Sequence, residues 1–102
     1  MKLFLRRRNS KINAVGDYDP DSKKFVVKKG TVVSDMVAHS EKFRGANTIE
    51  RYRDEYVKEG VVIKDVVFKS ASTAANFVTG ASTNGLTAWK TEDGVPLKEL
   101  LK

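Results

Sequence analysis

Asn47-Thr48-Ile49-Glu50-Arg51-Tyr52-Arg53-Asp54-Glu55-Tyr56-Val57-Lys58-Glu59-Gly60-Val61-Val62-Ile63 changes its hydrophobic period partway along. Ile49, Tyr52 and Tyr56 recur at i, i+3 and i+7, while Glu50, Arg51, Asp54, Glu55 and Lys58 cover the other side. That spacing predicts an amphipathic helix from about Ala46 or Asn47 to Glu59. Asn47 or Thr48 suits its N-cap, and Gly60 stands at the stop. Past Gly60, β-branched residues dominate, and Val61 to Phe68 reads as two short strands or as one strand bent at Lys64-Asp65.

Upstream, Met1 to Arg7 alternates, with Leu3 and Leu5 on one side and Lys2, Phe4 and Arg6 on the other, which is the period of a strand. Asn9-Ser10 is a turn. Lys11 to Tyr18 is a second extended piece that runs into the turn formers Asp17 to Ser22, and Lys23 to Lys29 is a third with Phe25 and Val27 facing the core. Three strands joined by tight turns make an antiparallel meander. Thr31 to Gly45 is mixed, polar and loop-like.

Downstream, Ser70-Ala71-Ser72 opens a second helix with hydroxyl caps, and Ala71, Ala74, Ala75 and Val78 line one face. Small residues there let the helix lie close to a sheet. Gly80 is its C-terminal cap. Asn84-Gly85 is a strong turn signal, Leu86 to Lys90 reads as a last strand, and Asp93-Gly94 is another turn. Val95 to Lys102 is read as a short helix whose Leu97, Leu100 and Leu101 cover the core. The whole is an α+β fold, mainly an antiparallel sheet of about five to six short strands with two helices packed on it, in a single domain over residues 1–102.

The chain has 102 residues, 40% of them hydrophobic, which is enough for one modest core. It has no cysteine, so there is no disulfide framework and no thiolate metal site. No apolar run approaches the length of a membrane span, and no apolar stretch follows Met1-Lys2 as in a signal peptide. A cytoplasmic protein without a membrane partner is expected.

Charge is unevenly placed. Residues 1 to 30 carry nine Lys or Arg against three Asp, whereas residues 31 to 102 carry ten basic and ten acidic side chains, so the net +6 lies in the first third. Charge gathered in this way recruits polyanions, and a nucleic-acid partner fits it. A lysine-rich sheet edge that blocks aggregation is the alternative reading.

Candidate chemistry is sparse. Asp17, Asp19 and Asp21 have the one-three-five spacing of a calcium loop, but Ser22 takes the place of its glycine and Lys28 that of its bidentate Glu. His39 is the single histidine, in a polar stretch, and neither a hydrolase triad nor a phosphate loop accompanies it. No catalytic residue, cofactor or metal is expected, and the chain is read as a non-enzyme.

The most distinctive segment runs from Val67-Phe68-Lys69-Ser70-Ala71-Ser72 through Gly80 and Ser82-Thr83-Asn84-Gly85 to Trp89-Lys90, followed by Asp93-Gly94 and Leu97. This pattern resembles the domain-of-unknown-function family four-three-five-seven, which is often appended to the C-terminus of GIY-YIG-type nuclease proteins. Phe25 to Gly30 resembles that family's strand ending in Gly, and Tyr52-Arg53, Glu55 and Gly60-Val61 its first helix and exit. The chain departs from the family where Ala71 replaces a common proline, Ala81 a common arginine and Leu86 a frequent tryptophan. The restriction-enzyme adenine methylase associated domain is more distantly similar. The resemblance implies association with a nuclease and a DNA-linked role, and by analogy a small pocket at Phe68, Phe77 and Trp89.

The expected function is a non-catalytic module that binds DNA or RNA or assists a nucleic-acid enzyme. Arg6, Arg7, Arg8, Lys11, Lys28 and Lys29 would contact the phosphate backbone, with Arg44, Lys69 and Lys90 beside them. In an ideal strand Arg7 faces away from Arg6 and Arg8, so a continuous patch needs the strand to end near Arg7 or to twist. Ser70, Ser72, Gly80, Asn84, Gly85 and Trp89 are assigned to caps, turn and core. The competing reading is a protein-interaction or oligomerisation domain that docks a nuclease or another protein through a free strand edge or exposed Tyr52 and Tyr56.

Overall fold

A computed structural model describes residues 1–7, 11–35, 37 and 46–101. In chain order the elements are β1 (Lys2–Arg6), β2 (Asn13–Tyr18), β3 (Phe25–Val27), α1 (Ala46–Tyr56), β4 (Val57–Lys58), β5 (Val61–Val62), β6 (Val66–Phe68), α2 (Ala71–Thr79), α3 (Gly85–Ala88) and α4 (Leu97–Leu100). The class is α+β, as the period change predicts. The six strands do not share one sheet: an antiparallel sheet in the order β1-β2-β3-β6 stands beside a two-stranded β4-β5 ribbon. Among the described residues there are four helices: α1 and α2 are the two expected on the sheet, α4 falls within the short helix read in the tail, and α3 is a single turn where a strand was expected.

Alternation along β1 buries Leu3 and Leu5 and leaves Lys2 and Arg6 exposed, with Phe4 half-buried between them. The register sets Lys2 opposite Asp17, Phe4 opposite Val15 and Arg6 opposite Asn13, so the outer sheet face carries these six side chains. On the inner face, Phe25, Val27, Val66 and Phe68 meet Ala74, Ala75, Phe77 and Val78 of α2 in one core cluster. The alanines bring α2 close to the sheet. Trp89 completes the core, its ring 4.4 Å from that of Phe25. Gly16 is needed beneath that pair, because a Cβ there would overlap the Phe25 ring.

Several segments differ from the sequence reading, each for a local reason. Residues 31–33 lie within the stretch expected to be a loop, yet Val32 bridges both Asn13 and Val61 and so joins the two sheets. Thr31 is 1% exposed, with its hydroxyl oxygen accepting from the Val15 amide at 3.2 Å. Helix α1 begins at Ala46, which places Asn47 and Thr48 in its first turn rather than at its cap. It ends at Tyr56 and not Glu59, because Glu59 (φ 54) and Gly60 (φ 79) form the two-residue turn of the β4-β5 hairpin. Positive φ at both positions is what a hairpin turn of matching twist requires.

Leu86 to Lys90 is not a strand. Asn84 has φ −79 and its side-chain oxygen accepts from the Leu86 amide, so the expected turn is instead the N-cap of α3. Only Lys90 of that stretch pairs with the sheet, bridging Phe4. In the tail, Leu97 is buried where its amide bonds the Trp89 carbonyl, but Leu100 and Leu101, beyond that anchor, are exposed and do not cover the core as expected. No helix among the described residues is long and apolar enough to cross a membrane.

Candidate nucleic-acid interface

The basic side chains sort into separate places, and one place gathers three of them. Strand β1 ends at Arg6, so Arg7 is released from strict alternation and lines the same cleft as Arg6. Lys90 arrives from the other end of the chain: the Phe4 amide donates to the Lys90 carbonyl at 2.7 Å and the Lys90 amide donates back at 2.9 Å. The cleft has a volume of about 460 Å³, and Ser82, Thr83, Asn84 and Thr87 form its opposite wall. No acidic residue lines it among the described residues. Arg6, Arg7 and Lys90 are all exposed, and none forms an ion pair with a described residue. Arg6 lies over the Phe4 ring at 4.3 Å, and its Nε donates to the Asn13 side chain.

The polar wall is held by the motif residues. Ser70 caps α2, its Oγ accepting from the Thr73 amide at 3.1 Å, and Ser72 Oγ accepts from the Gly85 amide at 3.0 Å. Gly80 closes the helix with φ 73, its amide donating to the Asn76 carbonyl. The Asn76 side-chain oxygen takes the Thr83 amide at 2.8 Å, and the Thr79 and Thr83 hydroxyls are bonded at 2.8 Å. Gly85 packs so tightly on α2 that a Cβ there would overlap the Ala71 carbonyl and the Ser72 nitrogen. The Trp89 indole N–H donates to the Ala71 carbonyl at 3.0 Å, anchoring α3 from below. Sequence assigns no role to Asn76, Thr79 and Thr87, and it gives Ser82 and Thr83 only as part of the motif. For Thr79, Ser82 and Thr83 the signal is the polar run Thr79 to Asn84, whose partners only the fold supplies; Asn76 and Thr87 lie outside that run.

The remaining candidates lie elsewhere. Lys28 Nζ is 2.9 Å from Asp65 Oδ2, and Asp65 Oδ1 accepts the Lys29 amide at 2.8 Å. Lys28 and Lys29 border a different hollow, together with Lys2 and Asp17. Lys11 and Lys69 are exposed and line neither hollow. Arg8, Arg44 and His39 lie outside the described residues. Asp19 closes its own turn by accepting from Ser22 Oγ and the Asp21 amide, which together hold its carboxyl below the usual carboxylate range. No group of three His, Cys, Asp or Glu able to hold a metal ion occurs among the described residues. Phe68, Phe77 and Trp89, expected by analogy to line a small pocket, are instead packed inside the core. Tyr52 and Tyr56 are half-buried against it.

The Asp65 pair has a testable pH consequence. The Lys29 amide, and after it Lys28, lower the Asp65 pKa from its ordinary 3.8. A depressed carboxylate adds stability that is complete above its unfolded pKa and is lost as pH falls through the lower folded value. Melting temperatures between pH 5 and pH 2 should therefore fall less steeply for Asp65→Asn than for the natural chain. Parallel curves would refute the assignment.

The model of the family described as domain of unknown function (DUF4357) matches residues 4–101. The chain belongs to this family. No curated protein and no solved structure matches it.

Proposed function

We propose that this chain is a non-catalytic module that binds nucleic acid through the sugar-phosphate backbone and serves as a cytosolic accessory to a nucleic-acid-processing enzyme such as a nuclease. The observation that carries the reading is the convergence of Arg6, Arg7 and Lys90 on one acid-free cleft walled by hydroxyl and amide groups. Guanidinium forks, an ammonium and neutral hydrogen-bonding groups are the usual set for phosphate oxygens. The interface is narrower than the charge count suggests, because Asp65 already neutralises Lys28. Half-burial of Tyr52 and Tyr56 removes one support for the competing protein-docking reading, although the exposed Ile63 and Val67 still favour it.

Contacts of this kind position a protein without reading sequence, so binding should be weak and salt-sensitive. Three phosphate contacts correspond to a slope of about −2 to −3 in log affinity against log salt. Fluorescence anisotropy with labelled oligonucleotides tests this. Arg7→Ala and Lys90→Ala should each weaken binding and flatten the slope by about one. Absence of binding at low salt, or a double variant that binds as well as the natural chain, would overturn the reading.

A further inference from the structure

We infer that the bound nucleic acid is single-stranded, with one base taken up beside Phe4 and the adjoining phosphate placed in the Arg7 cleft. This rests on the backbone-binding reading and adds the class of ligand. A second hollow, of about 180 Å³, opens next to the first and is lined by Phe4, Arg6, Lys90, Thr91 and Glu92. The two hollows share Arg6, Ala88 and Lys90. They differ in chemistry: the larger has cations and no carboxylate, and the smaller has an aromatic ring with Glu92 at its edge.

That difference orients a nucleotide. Glu92 repels a phosphate but accepts a hydrogen bond from a base amine, so the phosphate goes to the acid-free cleft and the base to the ring. Phe4 lies on the outer sheet face, half-buried, with Arg6 over it at 4.3 Å and Lys2 at 5.6 Å. A base stacking on Phe4 displaces the Arg6 guanidinium, which already borders the cleft and turns to the phosphate there. Only an unpaired, unstacked base presents its face to a side chain; a duplex presents edges and backbone. The cationic surroundings of an otherwise open apolar face match a polyanion rather than an apolar partner.

The test is anisotropy at low salt with a single-stranded oligonucleotide and the duplex of the same sequence, using the natural chain, Phe4→Leu, Phe4→Trp and Lys90→Ala. We expect the single strand to bind more tightly than the duplex. Phe4→Leu should weaken single-strand binding about 5- to 100-fold and leave duplex binding nearly unchanged. Lys90→Ala should weaken both. Phe4→Trp should keep the affinity, and its emission should be quenched by oligothymidine, with Trp89 shielded in the core. Equal affinity for both forms, with Phe4→Leu silent and Lys90→Ala weakening each, would overturn the stacking site and leave the backbone reading standing. Binding of neither form would overturn both. If Phe4→Leu fails to fold, Phe4→Trp decides, because an oligonucleotide that binds it without quenching overturns the stacking site.

Discussion

Trp89→Ala is expected to destabilise the protein by about 3–5 kcal/mol, the range for removing a large aromatic from a packed core. A domain of this size has only about 5–15 kcal/mol to lose. Trp89 is fully buried and is the joint between three parts of the fold. Its ring meets Phe25 on the sheet, its indole N–H reaches the first residue of α2, and its carbonyl accepts the Leu97 amide at 2.9 Å. Truncation opens a cavity bounded by Phe25 and by the rigid backbone of α2, which cannot collapse into it cheaply. Trp89→Phe keeps most of the ring contact and loses the donor, so it should cost about 1–2 kcal/mol. Urea denaturation followed by far-ultraviolet circular dichroism measures both. Costs for the two variants within 0.5 kcal/mol of each other would show that the volume of the indole is not what the site uses. Because Trp89 supports the turn bearing Asn84 and Thr87, Trp89→Phe should also weaken oligonucleotide binding slightly.

The elements legible in the sequence are those whose signal is local. Leu3 and Leu5 alternate with Lys2, Phe4 and Arg6, and Ala71, Ala74, Ala75 and Val78 fall at helical spacing, so strand and helix are read correctly without knowing their neighbours. The misread segments are those whose conformation depends on distant partners. Val32 is extended because Asn13 and Val61 flank it, neither of which is near it in sequence. Leu86 to Lys90 has strand-like composition, but Ser72 takes the Gly85 amide and Asn84 caps the turn, which winds the segment into helix. The candidate site divides in the same way. That Arg6 and Arg7 stand at a strand end was readable, and the strand does end there. The arrival of Lys90 was not, since it depends on a backbone bridge to Phe4. The pairing of Lys28 was equally hidden, because Asp65 reaches it only once β3 and β6 lie side by side.

Arg53→Met is expected to cost about 2–3 kcal/mol, although Arg53 sits on a helix whose charges otherwise read as a solvated face. Its guanidinium donates to the carbonyls of Phe77 and Val78 and to the carbonyl and hydroxyl of Ser34, at 2.8–3.1 Å. Phe77 and Val78 lie in the last turn of α2, which has no basic residue of its own there. A cation at that end complements the helix dipole and satisfies carbonyls that have no partner within the helix. Burial lowers the Arg53 pKa, but a guanidinium stays charged throughout the pH range in which proteins fold. Methionine keeps the stem and removes every Arg53 donor, leaving the Phe77 carbonyl to water at a partly buried site, while the Val78 carbonyl keeps the Ser34 amide. Arg53→Lys should recover only part of the loss, because one ammonium cannot span Ser34 and two helix carbonyls at the fork's geometry. Chemical denaturation gives the cost, and hydrogen exchange locates it: protection should drop at Ser34, whose amide donates to the Val78 carbonyl at 2.9 Å, before it drops in β1. A loss below 0.5 kcal/mol, or full recovery by lysine, would show that solvent already serves those carbonyls. Tyr52, one residue away, packs on Phe68 and Phe77, so the Tyr52-Arg53 pair ties α1 to α2 by an aromatic contact on one side and a cationic cap on the other.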